Sequence, residues 1–267
     1  MGCGYLSDTG GAVLSSITID RSTLHCGDCM DYMRALPDRA FELAIVDPPY
    51  GINAPNMSMG QNKNRADGWA RGESTAVKVK KGRLNSGGGK LKNRLLNTSE
   101  IDWDCAARGP DYFDELFRVS SNQIIWGGNY FDLPPPRCVI CWDKRQPWEN
   151  FSQWEMAWTS FDSPAALFSF SNTGGANAET KIHPTQKPTQ LYLWLIRKYA
   201  KPGQRILDTH LGSGSSAVAA TTLGHEFVGI ELNPDYFQAA VQRIDDSRRQ
   251  ANLFGRPNAI HAQEALI

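Results

Sequence analysis

The sequence predicts an α/β fold, a doubly wound and mostly parallel sheet with helices on both faces. Three observations carry this. Short apolar runs of strand length alternate with amphipathic stretches along most of the chain. A glycine-rich turn, "HLGSGSS", separates one such run from a helical stretch. Three carboxylates, Asp47, Asp208 and Glu231, each close an apolar run, and in such sheets ligands bind at the carboxyl ends of strands.

The elements follow in order. "LHCGD" and "FELAIVD" read as strands, with the amphipathic "MDYMRAL" between them as a helix. "PDYFDELFRV" reads as a helix, "QIIWGG" as a strand closed by glycines, and "RCVICW" as a buried strand. Residues 163–178 turn loose and rich in Ser, Gly and Asn. "HPTQKP" is a stiff polar connector, and the helix "TQLYLWLIRKYA" opens just after Pro188. "RILD" is a strand, "AVAATTL" a helix ended by Gly224, and "EFVGIEL" a further strand. "PDYFQAAVQRIDDSRRQ" is an amphipathic helix with Phe237, Val241 and Ile244 on its apolar face. The expected organisation is an N-terminal extension over 1–22, one domain over 23–250 and a tail over 251–267.

The 267 residues carry no net charge, so no global field recruits a polyanion. That average hides an asymmetry. Residues 53–98 hold ten basic residues (Lys63, Arg65, Arg71, Lys78, Lys80, Lys81, Arg83, Lys90, Lys92 and Arg94) against Asp67 and Glu73. The stretch is +8 and the remainder of the chain −8. It lacks apolar periodicity and reads as a mobile loop, either solvated or in contact with phosphates. No apolar run reaches membrane-spanning length, which points to a cytoplasmic protein with no membrane contact. Two C-x-x-C pairs, Cys26/Cys29 and Cys138/Cys141, lie too far apart for a zinc ribbon; they read as small hydrophobes, with no metal expected.

The stretch "IVDPPYG" sets an acid, two prolines and an aromatic after an apolar run. Prolines cannot continue a central strand, because they fix φ and lack the ladder N–H. Asp47 and Tyr50 are therefore held on a stiff hinge at a strand end. In "LDTHLGSGSSAVAA", Gly212 and Gly214 let the backbone approach a ligand closely, and Glu231 ends the next strand, where a carboxylate accepts ribose hydroxyls. By itself this motif indicates an adenosine-containing ligand and also fits a dinucleotide site.

Taken together, "DPPY" (47–50), "HPTQKP" (183–188), "LDTHLGSGS" (207–215) and "GIELNPDY" (229–236) resemble the DNA amino-methyltransferases that use S-adenosylmethionine. The order, with D-P-P-Y ahead of the glycine turn, is similar to their permuted beta class. The resemblance implies a Rossmann-like methyltransferase domain with a small inserted DNA-recognition region. It implies that Asp28, beside Cys29, accepts from the adenine of the cofactor and that Glu231, followed by Leu232, holds the ribose. Asp208, His210, Leu211, Gly212, Ser213, Gly214 and Ser215 would surround the methionine end, with His183, Thr185, Lys187 and Asp47 shaping the same pocket. The family usually has Pro-Phe where this chain has Thr209-His210.

For D-P-P-Y the resemblance implies a catalytic role for Asp47, Pro48, Pro49 and Tyr50. The Asp47 carboxylate and the Pro48 carbonyl would accept the two N–H groups of an exocyclic amine, with Pro49 stiffening the array. Tyr50 would stack on a base flipped from double-stranded DNA. In the family an Asp at the first position more often accompanies adenine N6 than cytosine N4. Lys78, Lys80, Lys81, Arg83, Lys90, Lys92 and Arg94 would meet phosphates, and Arg145 and Gln146, in a recognition segment over 143–181, would read base edges. A cognate restriction endonuclease is a partner that the resemblance allows; oligomeric state is left open. A nicotinamide dehydrogenase or an idle DNA-binding module is the rival reading, and either leaves D-P-P-Y and "HPTQKP" without a task.

Overall fold

The computed structural model describes residues 15–52, 104, 106–146, 152–171, 179, 181–183 and 185–253. They form a nine-stranded sheet in the order β1-β2-β9-β8-β3-β4-β6-β5-β7. The strands are β1 (Ser15–Ile19), β2 (Ser22–Cys26), β3 (Phe41–Val46), β4 (Ser120–Trp126), β5 (Val139–Asp143), β6 (Trp154–Thr159), β7 (Ala166–Ser169), β8 (Arg205–Asp208) and β9 (Glu226–Glu231). The helices are α1 (Cys29–Arg34), α2 (Pro110–Val119), α3 (Thr189–Tyr199), α4 (Ser215–Leu223) and α5 (Pro234–Leu253).

Five strands, β2, β9, β8, β3 and β4, run parallel at the centre. Their side chains alternate between two buried layers, as a sheet covered on both faces requires. Leu43, Ile45, Ile124, Trp126, Ile206 and Phe227 pack with α3, α4 and α5 on one face. Ala44, Val46, Ile125, Leu207, Val228 and Ile230 pack with α1 and α2 on the other. Each helix forms where the sequence starts and stops it. Asp28 caps α1 by accepting from the Met30 N–H at 2.8 Å, and Pro110 opens α2.

Two features differ from the sequence reading. β1, within the expected N-terminal extension, pairs antiparallel with β2, and β7 forms inside the stretch read as loose. Both are strands at the sheet's edges, organised by a partner rather than by their own periodicity. β6, between β4 and β5, lies in the same segment that was expected to carry recognition. Among the described residues, Cys29 and Cys138 are buried and Cys26 and Cys141 half-buried, all four free thiols.

The chain order places the site. From β8 the crossover through α4 leads to β9 on one side, and from β3 the crossover through α2 leads to β4 on the other. β8 and β3 are neighbours, so the winding reverses between them and their carboxyl ends open a crevice. Asp208 ends β8 and Asp47 follows β3.

Candidate active site

Asp47, Asp208 and Glu231 meet at this rim. Burial pushes the Asp208 carboxyl up to about 7, with the charges of Asp47 and Glu231 adding to the rise and bonds from Ser216 and the His210 N–H opposing it. Burial also raises Glu231, whose carboxylate accepts the Gly212 N–H at 2.8 Å and the Asn233 N–H at 2.9 Å. Glu231 thus braces the glycine turn from the neighbouring strand. Asp28 lies beside it, since the Gly27 N–H donates to the Glu231 carbonyl at 2.9 Å.

The glycine turn is shaped by both its ends. Gly214 sits at φ +74° before α4, and a Cβ there would lie 3.1 Å from Ala240 of α5. A side chain would be strained by backbone and packing alike. Arg243 of α5 reaches under the turn to the Ser213 carbonyl at 2.7 Å and the Ser215 hydroxyl at 2.9 Å. Leu211 is buried and Leu232 is exposed at the end of β9. His183 packs edge-on against Tyr236 at 4.4 Å, and its Nδ1 accepts from the Thr185 backbone. Burial, and then the charge of Lys187, lower its pKa to about 3, so the ring is neutral.

His210, which departs from the family's pattern, has a defined place. Arg108 Nε donates to His210 Nε2 at 3.1 Å; an arginine has no acceptor, so the ring proton sits on Nδ1 and points to Thr209 Oγ1 at 2.9 Å. Burial, then Arg108, hold His210 well below its ordinary range. It packs edge-on against Tyr112 at 5.4 Å. A neutral imidazole therefore keeps the ring contact and adds a hydrogen-bond acceptor.

Asp47 and Tyr50 are half-buried, with Pro48 and Pro49 buried between them. The Tyr50 hydroxyl donates to Asp47 Oδ1 at 2.6 Å, and Lys187 Nζ donates to Asp47 Oδ2 at 2.5 Å and to the Tyr50 oxygen at 3.2 Å. The Lys187 carbonyl accepts from Ser215 Oγ at 2.8 Å, so one residue ties the acid of D-P-P-Y to the glycine turn. The ammonium of Lys187, which was expected with Asp47 in the cofactor pocket, is engaged by Asp47, because a buried ammonium requires an anion. Tyr50 stacks on Tyr130 at 4.9 Å and 11°, and Tyr130 is 46% exposed, so the aromatic wall continues to the surface.

Arg145 and Gln146 follow β5. Arg145 donates to Ser169 Oγ at 2.7 Å, and Gln146 to the Ser152 carbonyl. They shape the base of the β5–β6 hairpin, on the same side of the sheet as Asp47. Lys78, Lys80, Lys81, Arg83, Lys90, Lys92 and Arg94 lie outside the described residues. Sequence reasoning missed Tyr130, Arg243, Glu155 and Lys144. Nothing local marks them, because each acquires its role from a residue far along the chain.

Residues 142–242 match the family model for N6/N4 methyltransferases described as DNA methylase. Over these residues the chain is similar to the DNA amino-methyltransferases. Its motif order, with D-P-P-Y just after β3 and the glycine turn after β8, resembles that of their beta class. The chain is 20% identical to the Type II methyltransferase M.BglII of Bacillus subtilis over 259 residues, covering 86% of this chain and 71% of that protein. It is 22% identical to the Type II methyltransferase M2.MboI of Moraxella bovis over 252 residues, covering 84% and 87%. Among solved structures, a complex of M1.HpyAVI with SAM aligns over 83% of this chain and 99% of its own, at 16% identity and a TM-score of 0.47.

Proposed function

We propose that this protein is a DNA amino-methyltransferase that acts on the exocyclic N6 of an adenine flipped out of double-stranded DNA. The observation that carries the reading is the acceptor array on the β3 hinge, with Asp47 oriented by Tyr50 and Lys187 beside the carboxylate rim of β8 and β9. The Asp at its first position favours adenine over cytosine by the family's tendency.

S-adenosylmethionine is the cofactor, and it supplies an electrophilic methyl on a sulfonium. The site fits it. The rim holds three carboxylates, and Asp208 is pushed up to about 7 there, so a ligand bearing sulfonium and ammonium charges supplies what the rim lacks. Glu231 would hold the ribose, Asp28 the adenine, and Asp208 and His210 with the Gly212–Gly214 backbone the methionine end, with Cys29 and Leu232 lining the adenosine side. His183 and Thr185 would close the pocket from the connector before α3, and Ser215 from the start of α4.

The chain's own groups then do three things. Asp47 and the Pro48 carbonyl accept the amine N–H groups, returning electron density to a nitrogen whose lone pair is otherwise delocalised. Tyr50 and Tyr130 present ring faces to the base. Arg145 and Gln146 approach base edges, while the basic stretch over 53–98 meets phosphates and adds affinity without sequence information. Labelled methyl transfer to duplex DNA followed by nucleoside analysis tests the reading. Label on adenine N6 is expected; label on cytosine N4 overturns the choice of base, and label on cytosine C5 overturns the mechanism.

The raised Asp208 pKa sets a pH dependence. The folded protein keeps this proton between the usual carboxylate range and pH 7, so Asp208's contribution to apoprotein stability falls as pH rises through that window. A cationic cofactor favours the ionised form. Its affinity should therefore rise with pH up to about 7 and then level off. Calorimetry in buffers of different ionisation enthalpy should show proton release at acidic pH and almost none at alkaline pH. Asp208→Asn should abolish that release, and release persisting in the variant would place the titrating group elsewhere.

A further inference from the structure

Glu155 has no part in the reading so far. It lies on β6 opposite Trp142 of β5, and two lysines meet its carboxylate. Lys144 reaches Oε1, and Lys187 lies 3.2 Å from Oε2 while holding Asp47 at 2.5 Å on its other side. The row Lys144, Glu155, Lys187, Asp47 alternates in sign, and no side chain in it is more than 24% exposed. Burial alone would raise the Glu155 carboxyl, yet Lys187 and Lys144 hold it down at about 2. Burial would likewise lower Lys187, and Asp47 and Glu155 outweigh it. Removing any one charge leaves its neighbour buried and unmatched.

Resting on the reading of Asp47 as the acceptor for the target amine, we propose that Glu155 is a positioning residue: it shares the Lys187 ammonium with Asp47 and so sets the orientation and acceptor strength of that carboxylate. An ammonium paired with one carboxylate alone settles between its two oxygens and draws density from both. A second carboxylate on the far side pulls Nζ off that axis. In the observed arrangement Nζ contacts only Oδ2, and Oδ1 is bonded to the neutral Tyr50 hydroxyl. Nζ also donates to the Tyr50 oxygen at 3.2 Å, and the rings of Trp126 and Tyr50, at 5.3 and 5.6 Å, stabilise a cation without fixing its direction. Lys144 neutralises the outer side of Glu155 and immediately precedes Arg145. The reactive carboxylate is thereby connected through three charges to the hairpin that approaches DNA.

Glu155→Gln keeps the shape and removes the charge. In the full-length protein, turnover for methyl transfer to DNA should fall about 10–100-fold, the scale for losing an outer partner that orients a reactive group. The KM for DNA and the cofactor affinity should change little, whereas the Tm should fall, because Lys144 loses its carboxylate. In a Lys187→Met background the same change should add almost nothing, because its effect runs through Lys187. Independently of activity, the Lys187 ammonium should give a solvent-protected signal in ¹⁵N NMR of the wild type and exchange faster in Glu155→Gln. Unchanged turnover, an equal further loss in the Lys187→Met background, or an unmoved ammonium signal would overturn the proposal while leaving Asp47 in its role. A wild-type protein that methylates no amino group in DNA would overturn the reading of Asp47, and the proposal with it.

Discussion

Asp47→Ala is expected to lower methyl transfer by roughly 10²–10³-fold or more, the scale for losing one preorganised electrostatic partner. The carboxylate lies just after β3, oriented on both oxygens, where in the proposed reaction the amine would develop positive charge. The substitution also leaves Lys187 with Glu155 as its remaining carboxylate, so part of the loss reflects a displaced ammonium. Asp47→Asn separates the two effects, since it keeps the shape and an acceptor oxygen but removes the charge. Cofactor affinity should fall much less than turnover, because most of the proposed cofactor contacts belong to β8, β9 and α1. Single-turnover assays beside calorimetry measure both quantities. A variant that turns over at the wild-type rate would remove Asp47 from the chemistry.

The second large effect is expected at a residue that touches neither DNA nor cofactor in this reading. Gly127 follows β4 with φ +70°, and a Cβ there would lie 2.2 Å from the Tyr50 ring. The backbone next to that ring is open only to glycine. Gly127→Ala would meet a left-handed backbone penalty of about 1–2 kcal/mol. It would add an overpacking penalty of about 1–3 kcal/mol, relieved only by moving Tyr50 off Tyr130 and Asp47. Each kcal/mol corresponds to about 2–4 °C of Tm for a chain of this size. Turnover should fall with Tm, because the displaced ring is the one that orients Asp47. Thermal melting and methyl-transfer assays on the same sample check this, and an alanine variant with wild-type Tm would show that the turn relaxes freely.

Much of the architecture was legible because its signals are local. Strand runs, helix periodicity and the breakers Pro188, Gly224 and Pro110 lie within a few residues of the elements they define. β1 and β7 were not legible. They are short edge strands, made regular by β2 and β5 through pairings that no window of sequence contains.

At the site, the sequence by itself determined which side chains stand at strand ends. Prolines after β3 and glycines after β8 can do little else, so Asp47, Tyr50, Asp208 and Glu231 were placed by backbone chemistry alone. Only the tertiary structure decided what each of them touches. Lys187 reads in the sequence as part of a cofactor connector, yet 140 residues of intervening chain bring its ammonium onto Asp47. Tyr50 reads as a stacking face, and the fold gives its hydroxyl a second task as a donor to the same carboxylate. Nothing in the sequence marks Glu155, and antiparallel pairing of β6 with β5 sets it between two lysines. The reason is physical: propensity and periodicity act along the chain, whereas burying a charge requires an opposite charge within a few ångströms, and the sheet order supplies that partner from anywhere in the sequence.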